Sequence, residues 1–267
     1  MKLKPNLVLF QNGKLVLSRA EKELSMSEYQ LACLDLEGTC MVDAGITETC
    51  FIKACEETNI ALPENKTKSI HGMDAESIIK GLWREELGDD HVAFPHRVKQ
   101  TFTAFCKNID AALEKESIKL TPGTKEALEY FKAHNIKVAI ISGLHRWAVD
   151  IILDKLGWLD SLDNDYLGEE NSPIQLSVCR EDVEFGRPKP DLIQYAIDMF
   201  EIEDPEQVIT IGDTTGDLRS ARKAQVGLSL AVANGNNSRE KLEKIDHHAI
   251  LESMEDVPAL MERAMEQ

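Results

Sequence analysis

From Tyr29 onward, short apolar runs alternate with longer amphipathic stretches. The apolar runs predict six strands, at residues 31–34, 138–141, 176–179, 208–211, 228–232 and 249–251. The amphipathic stretches predict helices between and after these strands, at residues 124–134, 145–156, 191–200, 217–224 and 257–265. Because strands and helices alternate, the pattern favours an α/β fold, with a doubly wound parallel sheet that carries helices on both faces.

One interval breaks this alternation. About a hundred residues separate the first two predicted strands, whereas a crossover helix needs only a dozen or so. The interval has helical periodicity at residues 47–58, 74–87 and 92–115. It therefore predicts an inserted all-helical domain at residues 43–118, within a core made of residues 29–42 and 119–267. An insert at this point would lie over the carboxyl ends of the strands and could close over a substrate like a lid.

Residues 1–28 form a separate extension. Two apolar runs, at residues 7–10 and 14–17, flank an Asn12-Gly13 pair, and this arrangement is typical of a β-hairpin. The sequence thus predicts an N-terminal β-hairpin, followed by a polar linker or short helix. Such an extension would cover a sheet edge or form a dimer contact, and a regulatory role stays open.

Composition narrows the class of partner. The content of 43% hydrophobic and 29% charged residues is ordinary for a soluble globular protein. The net charge of −17 argues against nucleic acid and anionic membranes as partners. The six cysteines include no close-spaced pair of metal-ligand type, and no stretch approaches the apolar length of a membrane span. We expect a cytoplasmic protein, a monomer or homodimer, that acts on a small molecule.

Polar motifs follow several predicted strands, and this is where open parallel sheets bind ligands. The first motif is residues 35–39 (Asp-Leu-Glu-Gly-Thr), and the last is residues 212–217 (Gly-Asp-Thr-Thr-Gly-Asp). Asp35 can accept a phosphoryl group as a nucleophile, and Glu37 can act as a general acid and base. Asp213 and Asp217 lie one helical turn apart, so both can face Asp35, and such hard oxygen ligands suit Mg²⁺. Helix capping explains one of the two later Asp residues but not all three carboxylates.

Two further motifs supply a hydroxyl group and positive charge. Ser142 ends the second predicted strand, either as an anion contact or as the N-cap of the next helix, and Gly143 lets the backbone approach an anion closely. The Gly-Arg-Pro-Lys-Pro segment at residues 186–190 offers Arg187 or Lys189 to neutralise a phosphoryl group during transfer. Together the four motifs predict a magnesium-dependent phosphoryl-transfer site.

At these residues the chain resembles the haloacid dehalogenase superfamily, whose members are mostly magnesium-dependent phosphatases with a Rossmann-like core. The resemblance covers residues 29–262. It implies that Asp35 is the nucleophile, that Ser142 and Arg187 hold the phosphoryl group, and that the helical insert is the family's cap. The implied metal ligands are Asp35, the main-chain carbonyl of Glu37, Asp213 and Asp217. A dehalogenase is disfavoured, because a halide leaving group needs no magnesium site.

Within the superfamily, residues 142–146, 156–158 and 186–191 look most like the phosphonatase-like group. Phosphonatases cleave the carbon–phosphorus bond of phosphonoacetaldehyde through a Schiff base on a cap lysine. Two departures argue against that activity: Glu37 replaces an Ala, and Ala75 occupies the position matched to the lysine, three residues after Gly72. Glu37 also replaces the Asp usual in family phosphatases and is longer by ~1.5 Å. A Glu occurs at this position in enolase-phosphatases, so it is compatible with acid–base chemistry on a phosphate ester.

Residues that contact the leaving group are expected mainly in the insert, although each candidate also has a purely structural interpretation. The candidates are Gly45, His71, Gly72, Trp83 and Arg84, with His145 and Arg146 beside the phosphate loop. The sequence therefore predicts a magnesium-dependent phosphatase for a small phosphorylated metabolite, such as a sugar phosphate, that forms a phospho-Asp35 intermediate. Phosphonoacetaldehyde hydrolase-type cleavage and a catalytically silent phospholigand-binding module are the alternatives.

Overall fold

A computed structural model describes residues 9–11, 14–16, 29–63 and 74–265 of the chain. The short strands β1 (Leu9–Gln11) and β2 (Lys14–Val16) pair in antiparallel fashion, which confirms the predicted hairpin. The remaining residues of the predicted N-terminal extension lie outside the described residues. The core strands are β3 (Leu31–Asp35), β4 (Lys137–Ile141), β5 (Leu176–Val178), β6 (Val208–Gly212), β7 (Leu228–Val232) and β8 (Ala249–Leu251).

These six strands form one parallel sheet with the order β5-β4-β3-β6-β7-β8. The chain proceeds outward from β3 in one direction and then from β6 in the other. The order therefore reverses between β3 and β6, and the crevice at such a switch point is where doubly wound sheets bind ligands. All six predicted core strands are confirmed, although β5 ends at Val178, one residue before its predicted end.

Alternation along the central strands separates two hydrophobic layers. On β3, Leu31 and Cys33 belong to one cluster of buried side chains, and Ala32 and Leu34 belong to another. The first cluster includes residues of α6 (Asp191–Met199) and α7 (Thr215–Ala224), and the second includes residues of α4 (Thr124–Ala133) and α5 (Arg146–Lys155). Helices thus cover both faces, as predicted. The chain continues through α8 (Arg239–Leu242) and α9 (Asp256–Met265).

Between β3 and β4, the described residues form three helices: α1 (Ile46–Glu57), α2 (Ala75–Leu87) and α3 (Phe94–Leu113). The α3 helix packs on α1 through an edge-to-face contact of Phe105 with Phe51, whose ring centroids are 5.7 Å apart. It packs on α2 through Trp83, whose Nε1 donates to Thr101 Oγ1 at 2.9 Å. The three helices therefore pack against one another, and their buried side chains belong to the same hydrophobic cluster as Ala32 and Leu34 of β3.

The chain enters and leaves this helical segment side by side. Val42 N donates to the carbonyl of Lys119 at 2.9 Å, and Thr121 N donates to the carbonyl of Cys40 at 3.0 Å. Lys155 of α5 also contacts the segment, because its Nζ donates to three carbonyls at the C-terminal end of α3. The division into a core and a cap at residues 43–118 stays a prediction, and this paired crossing is the geometry that such a division requires. Among the described helices, none has the length and apolar character needed to cross a membrane.

Candidate active site

Asp35 lies at the carboxyl end of β3, beside the switch point of the sheet. All five residues of β3 are buried, and Asp35 itself is only 4% exposed. Asp35 is the register partner of Ile141 on β4, and Leu34 is the partner of Ile211 on β6. Ser142 and Asp213 therefore follow neighbouring strands at the same edge as Asp35. The sheet register, rather than proximity in sequence, brings these motifs together.

Asp35, Asp213 and Asp217 form a buried group, hereafter the carboxylate cluster. One oxygen atom from each carboxylate lies within 4.8 Å of the others. Arg187 bridges the cluster: its Nη2 lies 2.7 Å from Asp35 Oδ1, and its Nε lies 2.6 Å from Asp217 Oδ1. Arg187 also donates to the carbonyl of Ile141 at 3.0 Å. Two of the three carboxylates thus contact the same guanidinium group, and all three are buried with it.

Burial and mutual repulsion make the carboxylate cluster hard to ionise fully. Burial raises the pKa of Asp35 well above its ordinary value; Arg187 opposes this rise, whereas Asp217, Asp213 and Glu37 add to it. Burial, with repulsion from Asp217, raises the pKa of Asp213 to about 6. The pKa of Arg187 is raised, because attraction to Asp217 and Asp35 outweighs the effect of burial. The cluster therefore holds excess negative charge that a cation would relieve.

Neighbouring loops orient the two later carboxylates. Asp213 accepts a hydrogen bond from Asn236 N at 2.5 Å and one from Thr39 Oγ1 at 3.3 Å. Asp217 accepts from Thr214 N at 3.0 Å and from Thr214 Oγ1 at 2.6 Å, and it thereby caps α7. Helix capping thus explains one of the two later Asp residues, since Asp217 is the N3 residue of a capping box whose N-cap is Thr214, and the same side chain also pairs with Arg187.

Sequence reasoning missed the loop after β7, which contains Gly235 and Asn236. The sequence contains a pattern that could have identified this loop, because an Asn-Gly-Asn segment follows a buried strand at the ligand-binding edge. Close approach of this loop depends on glycine: a Cβ on Gly235 would collide with the Asp213 carboxylate. Gly38, which has a positive φ of 81°, and Gly212 face the same restriction against Asp213 and Asp217 respectively. The glycines of the first and last motifs therefore let the backbone enclose the carboxylates.

The carboxylate cluster fits a divalent cation of the magnesium class. Its donors are all hard carboxylate oxygens, and three carboxylates with one Arg187 leave an excess of two negative charges when all are ionised. Burial first, and repulsion among the carboxylates second, raise the pKa values of Asp35 and Asp213. The residues present are thus those that an Mg²⁺ ion requires.

Glu37 and Ser142 flank the cluster. The half-buried Glu37 accepts a hydrogen bond at 2.8 Å from Thr47 Oγ1, which belongs to α1 of the helical insert. Ser142 is 2% exposed, and its Oγ accepts from Leu144 N at 3.1 Å in a tight turn that contains Gly143. The N-cap of α5 is His145, so the interpretation of Ser142 as a helix N-cap is wrong. The reason is that Ser142, the first residue after β4, lies three residues before the N-cap of α5.

The other basic candidates near the phosphate loop lie outside the cluster. Arg146 pairs with Asp182, donates to the carbonyl of Ser177 at 2.9 Å, and lies over the ring of Tyr166. It is therefore a structural residue and supplies no second positive charge to the cluster. Lys189 is exposed and lies 5.8 Å from the ring centroid of Phe185.

The leaving-group candidates of the insert have mostly structural surroundings. Trp83 is buried among the three helices, and Arg84 is exposed and paired with Asp89 at 2.8 Å. Gly45, with a φ of 70°, is the N-cap of α1. His71 and Gly72 lie outside the described residues.

Known proteins resemble this chain in both sequence and structure. It is 35% identical over 107 residues to a phosphonoacetaldehyde hydrolase of Latilactobacillus sakei, covering 40% of this chain and 36% of that protein. It is 24% identical over 233 residues to a phosphonoacetaldehyde hydrolase of Bacteroides fragilis, covering 83% of this chain and 82% of that protein. A solved structure of a hydrolase from Pseudomonas syringae has a TM-score of 0.71 and 21% identity, covering 87% of this chain and 98% of that one.

A family model also matches most of the chain. Residues 33–233, which contain all four motifs, match the model described as haloacid dehalogenase-like hydrolase. The match confirms the expected enzyme class and agrees with the parallel sheet and its switch point. The chain belongs to the haloacid dehalogenase-like hydrolases.

Proposed function

We propose that this chain is a magnesium-dependent phosphatase that hydrolyses a small phosphorylated metabolite through a phospho-Asp35 intermediate. The observation that carries the proposal is the carboxylate cluster, in which Asp35 adjoins two further buried carboxylates and one guanidinium group. Its proposed metal ligands are Asp35, the main-chain carbonyl of Glu37, Asp213 and Asp217. When bound, Mg²⁺ would supply positive charge to the phosphoryl oxygens.

Asp35 and Glu37 divide the covalent chemistry. A carboxylate oxygen of Asp35 attacks phosphorus, the bond from phosphorus to the leaving-group oxygen breaks, and Glu37 donates its proton to that oxygen. An alcohol departs and an aspartyl phosphate remains. Water then attacks phosphorus while Glu37 takes a proton from it, and the bond from phosphorus to Asp35 breaks. Inorganic phosphate leaves, and both carboxyl groups return to their initial states.

Ser142, Gly143 and Arg187 position the phosphoryl group in this proposal. The hydroxyl of Ser142 accepts from Leu144 N and can still donate its proton to a phosphoryl oxygen. Arg187 lies 2.7 Å from Asp35, so its fixed charge adjoins the oxygens on which negative charge develops. The Glu37–Thr47 hydrogen bond links the general acid to the helical insert, which we propose acts as a cap that excludes water from the aspartyl phosphate.

Phosphonoacetaldehyde hydrolysis is the second candidate, favoured by the names of the curated relatives. It would need a lysine of the insert to form a Schiff base. Ala75, at the position matched to that lysine, is the buried first residue of α2, and Lys80 is exposed and paired with Glu76 at 2.8 Å. The other nearby lysines, Lys66 and Lys68, lie outside the described residues. A catalytically silent phospholigand-binding module is a third candidate, but it would have little need of a nucleophile at Asp35.

One experiment separates the three candidates. Phosphate release is measured from sugar phosphates, nucleotides, enol phosphates and phosphonoacetaldehyde, with Mg²⁺, with chelator, and with the Asp35→Asn variant. We expect Mg²⁺-dependent release from phosphate esters that the variant lacks. Release from phosphonoacetaldehyde alone, together with borohydride trapping on a lysine, would replace the proposal with carbon–phosphorus cleavage. Binding of inorganic phosphate without turnover of any ester would indicate the binding module.

A further inference from the structure

The short 3₁₀ helix Arg180–Asp182 lies where the core meets the helical insert. Arg180 Nε lies 3.3 Å from Asp74 Oδ2, and Asp74 is the N-cap of α2 in the insert. Arg180 N also donates to the carbonyl of Leu144 at 3.1 Å, so the 3₁₀ helix is bound to the loop that follows Ser142. Asp74 approaches Gly186, the chain neighbour of Arg187. This boundary is therefore close to the carboxylate cluster.

His145 is held at this boundary by its two neighbours. Its Nδ1 lies 2.6 Å from Glu181 Oε1, and its ring lies 4.8 Å, centroid to centroid, from the ring of Phe102 on α3 of the insert. Glu181 is itself fixed, because its Oε2 accepts from Arg146 N at 2.9 Å. An orienting carboxylate and an aromatic face thus fix both the position and the rotation of the imidazole.

The second nitrogen of His145 is unused. Nε2 is buried and has no hydrogen-bond partner among the described residues, although the whole side chain is 15% exposed. Buried polar atoms are almost always paired, so an orphan in a fixed side chain requires an explanation, and an absent ligand is one of the few available. His145 follows Ser142 by only three residues, in the tight turn closed by the Ser142–Leu144 hydrogen bond. Nε2 is thus a buried polar atom without a partner among the described residues, on a side chain that contacts Phe102 of the insert and follows Ser142 by three residues.

The chemistry of Nε2 follows from its partner on the other side of the ring. Partial burial opposes ionisation of Glu181, but hydrogen bonds from Arg146 N and His145 outweigh it, and the pKa of Glu181 is lowered. An ionised Glu181 accepts the Nδ1–H proton. In the neutral imidazole Nε2 is then a hydrogen-bond acceptor, and its complement is a hydroxyl or amine donor.

We propose that His145 is a specificity-determining residue that accepts a hydrogen bond from a hydroxyl group of the leaving alcohol, so that the substrate is a phosphate ester of a sugar or another polyol. The inference rests on the proposed function, because a phosphoryl group held at Asp35 places the leaving group between the core edge and the insert. It goes further by assigning the recognition of a leaving-group hydroxyl to one residue of the core. Glu181 is the positioning residue for this contact.

Two substitutions at His145 test the role of the distal nitrogen. His145→Asn keeps an amide near the Nδ1 position, where it can still bond to Glu181, but removes the distal atom. His145→Gln places an amide near the Nε2 position. Kinetics are measured on the polyol phosphate that the unmodified protein hydrolyses best, on its analogue lacking one hydroxyl group, and on p-nitrophenyl phosphate, whose leaving group has no further hydroxyl. Thermal unfolding confirms that each variant is folded.

We expect His145→Asn to raise KM for the polyol phosphate by about 3- to 10-fold, the effect of one hydrogen bond. Turnover of p-nitrophenyl phosphate should change less than about twofold, and His145→Gln should restore much of the lost affinity. In the His145→Asn variant, removing one hydroxyl group from the substrate should not raise KM further. Glu181→Ala should reproduce part of the KM increase, with little change in kcat.

Other outcomes overturn the inference, and they distinguish its failure from that of the proposed function. Equal effects of His145→Asn on both classes of substrate, or no effect on either, would make His145 a structural residue while Mg²⁺-dependent, Asp35-dependent turnover persists. A preference of the unmodified protein for hydroxyl-free esters would also refute it. If the unmodified protein hydrolyses no phosphate ester, the proposed function fails, and the specificity role of His145 fails with it.

Discussion

Two charged clusters lie near the carboxyl-terminal edge of the sheet, and they are balanced differently. In the carboxylate cluster, Asp35, Asp213 and Asp217 share Arg187. In the second, hereafter the paired cluster, every charged group has its own partner: Asp74 with Arg180, Asp182 with Arg146, and Glu181 with His145. The carboxylate cluster is also the more deeply buried of the two, since Arg187 is 1% exposed there whereas Glu181 of the paired cluster is 43% exposed. The two clusters therefore differ in both burial and charge balance.

The comparison shows how similar residues acquire different roles. Buried charges are tolerated when they are paired and hydrogen-bonded, and such pairs hold elements together. Excess buried charge destabilises the fold and is retained where a ligand or a reaction requires it. Arg146 and Arg187 both follow strands in polar motifs, yet Arg146 stabilises the paired cluster, whereas Arg187 lies among candidate catalytic carboxylates. Charge balance, more than residue type, separates them.

The largest expected difference between the clusters is in turnover. Asp35→Asn should lower kcat by about 10⁴-fold or more, because it removes the proposed nucleophile. Asp182→Asn, the matched change in the paired cluster, should lower kcat by less than about threefold but destabilise the fold by about 1–3 kcal/mol. Steady-state kinetics and denaturant unfolding of both variants test the contrast. Similar losses of activity in the two variants would contradict it.

Glu37→Gln tests the acid–base role beside the carboxylate cluster. We expect kcat to fall by about 10²- to 10⁴-fold with little change in KM, because the amide can neither donate nor accept a proton in the reaction. Thr47→Val, which removes only the hydrogen bond from the insert to Glu37, serves as the control and should reduce kcat by less than about tenfold. Unchanged turnover of Glu37→Gln would assign the acid–base role to another group.

Arg187→Met should destabilise the protein by about 3–5 kcal/mol near pH 8, because three buried carboxylates lose their shared counter-ion. Without the guanidinium, protonation of the carboxylates reduces their mutual repulsion. The loss of stability should therefore be smaller at pH 5. Chemical denaturation at the two pH values measures this effect. Arg84→Met, which breaks an exposed ion pair with Asp89, should change stability by less than about 0.5 kcal/mol at either pH. Equal effects of the two substitutions would refute the proposed charge imbalance.

Asp213→Asn should produce the smallest change in the free energy of unfolding, and this change should be a stabilisation rather than the usual destabilisation. Folding raises the pKa of Asp213 from 3.8 to about 6, so the folded state binds the proton more tightly than the unfolded state. Stability is therefore lost as the pH rises through about 4 to 6. In chelator, the variant should avoid this loss and be more stable than the unmodified protein by about 1–3 kcal/mol at pH 8, with no gain at pH 4.

Mg²⁺ should reverse the order of stability of the unmodified protein and Asp213→Asn at pH 8. Binding to the folded state alone raises stability, so Mg²⁺ should stabilise the unmodified protein at pH 8 and have a reduced effect on Asp213→Asn. Denaturant unfolding with and without Mg²⁺ measures both differences. A variant that is less stable than the unmodified protein in chelator at pH 8 would mean that the hydrogen bonds to Asp213 outweigh the cost of its burial and its repulsion by Asp217.

The sequence by itself determined the elements and the chemistry available to them. Runs of buried β-branched and leucine residues specify short strands, and amphipathic periodicity specifies helices, because both patterns follow from local backbone geometry. The motifs around Asp35, Ser142, Arg187 and Asp213 were identified for the same reason, since each follows a strand whose end is visible in the sequence. Their catalytic roles stay predictions until the substitutions are made.

Only the tertiary structure decided which of these polar groups share a site and which are paired elsewhere. The strand order places β3 beside β6, and Arg187 then reaches two carboxylates from distant parts of the chain. Arg146 and His145 are adjacent in sequence, yet the terminal nitrogens of Arg146 are held by Asp182 and Ser177, while Nε2 of His145 has no partner among the described residues. The physical reason is that charge balance and desolvation depend on long-range contacts, which local sequence patterns do not encode.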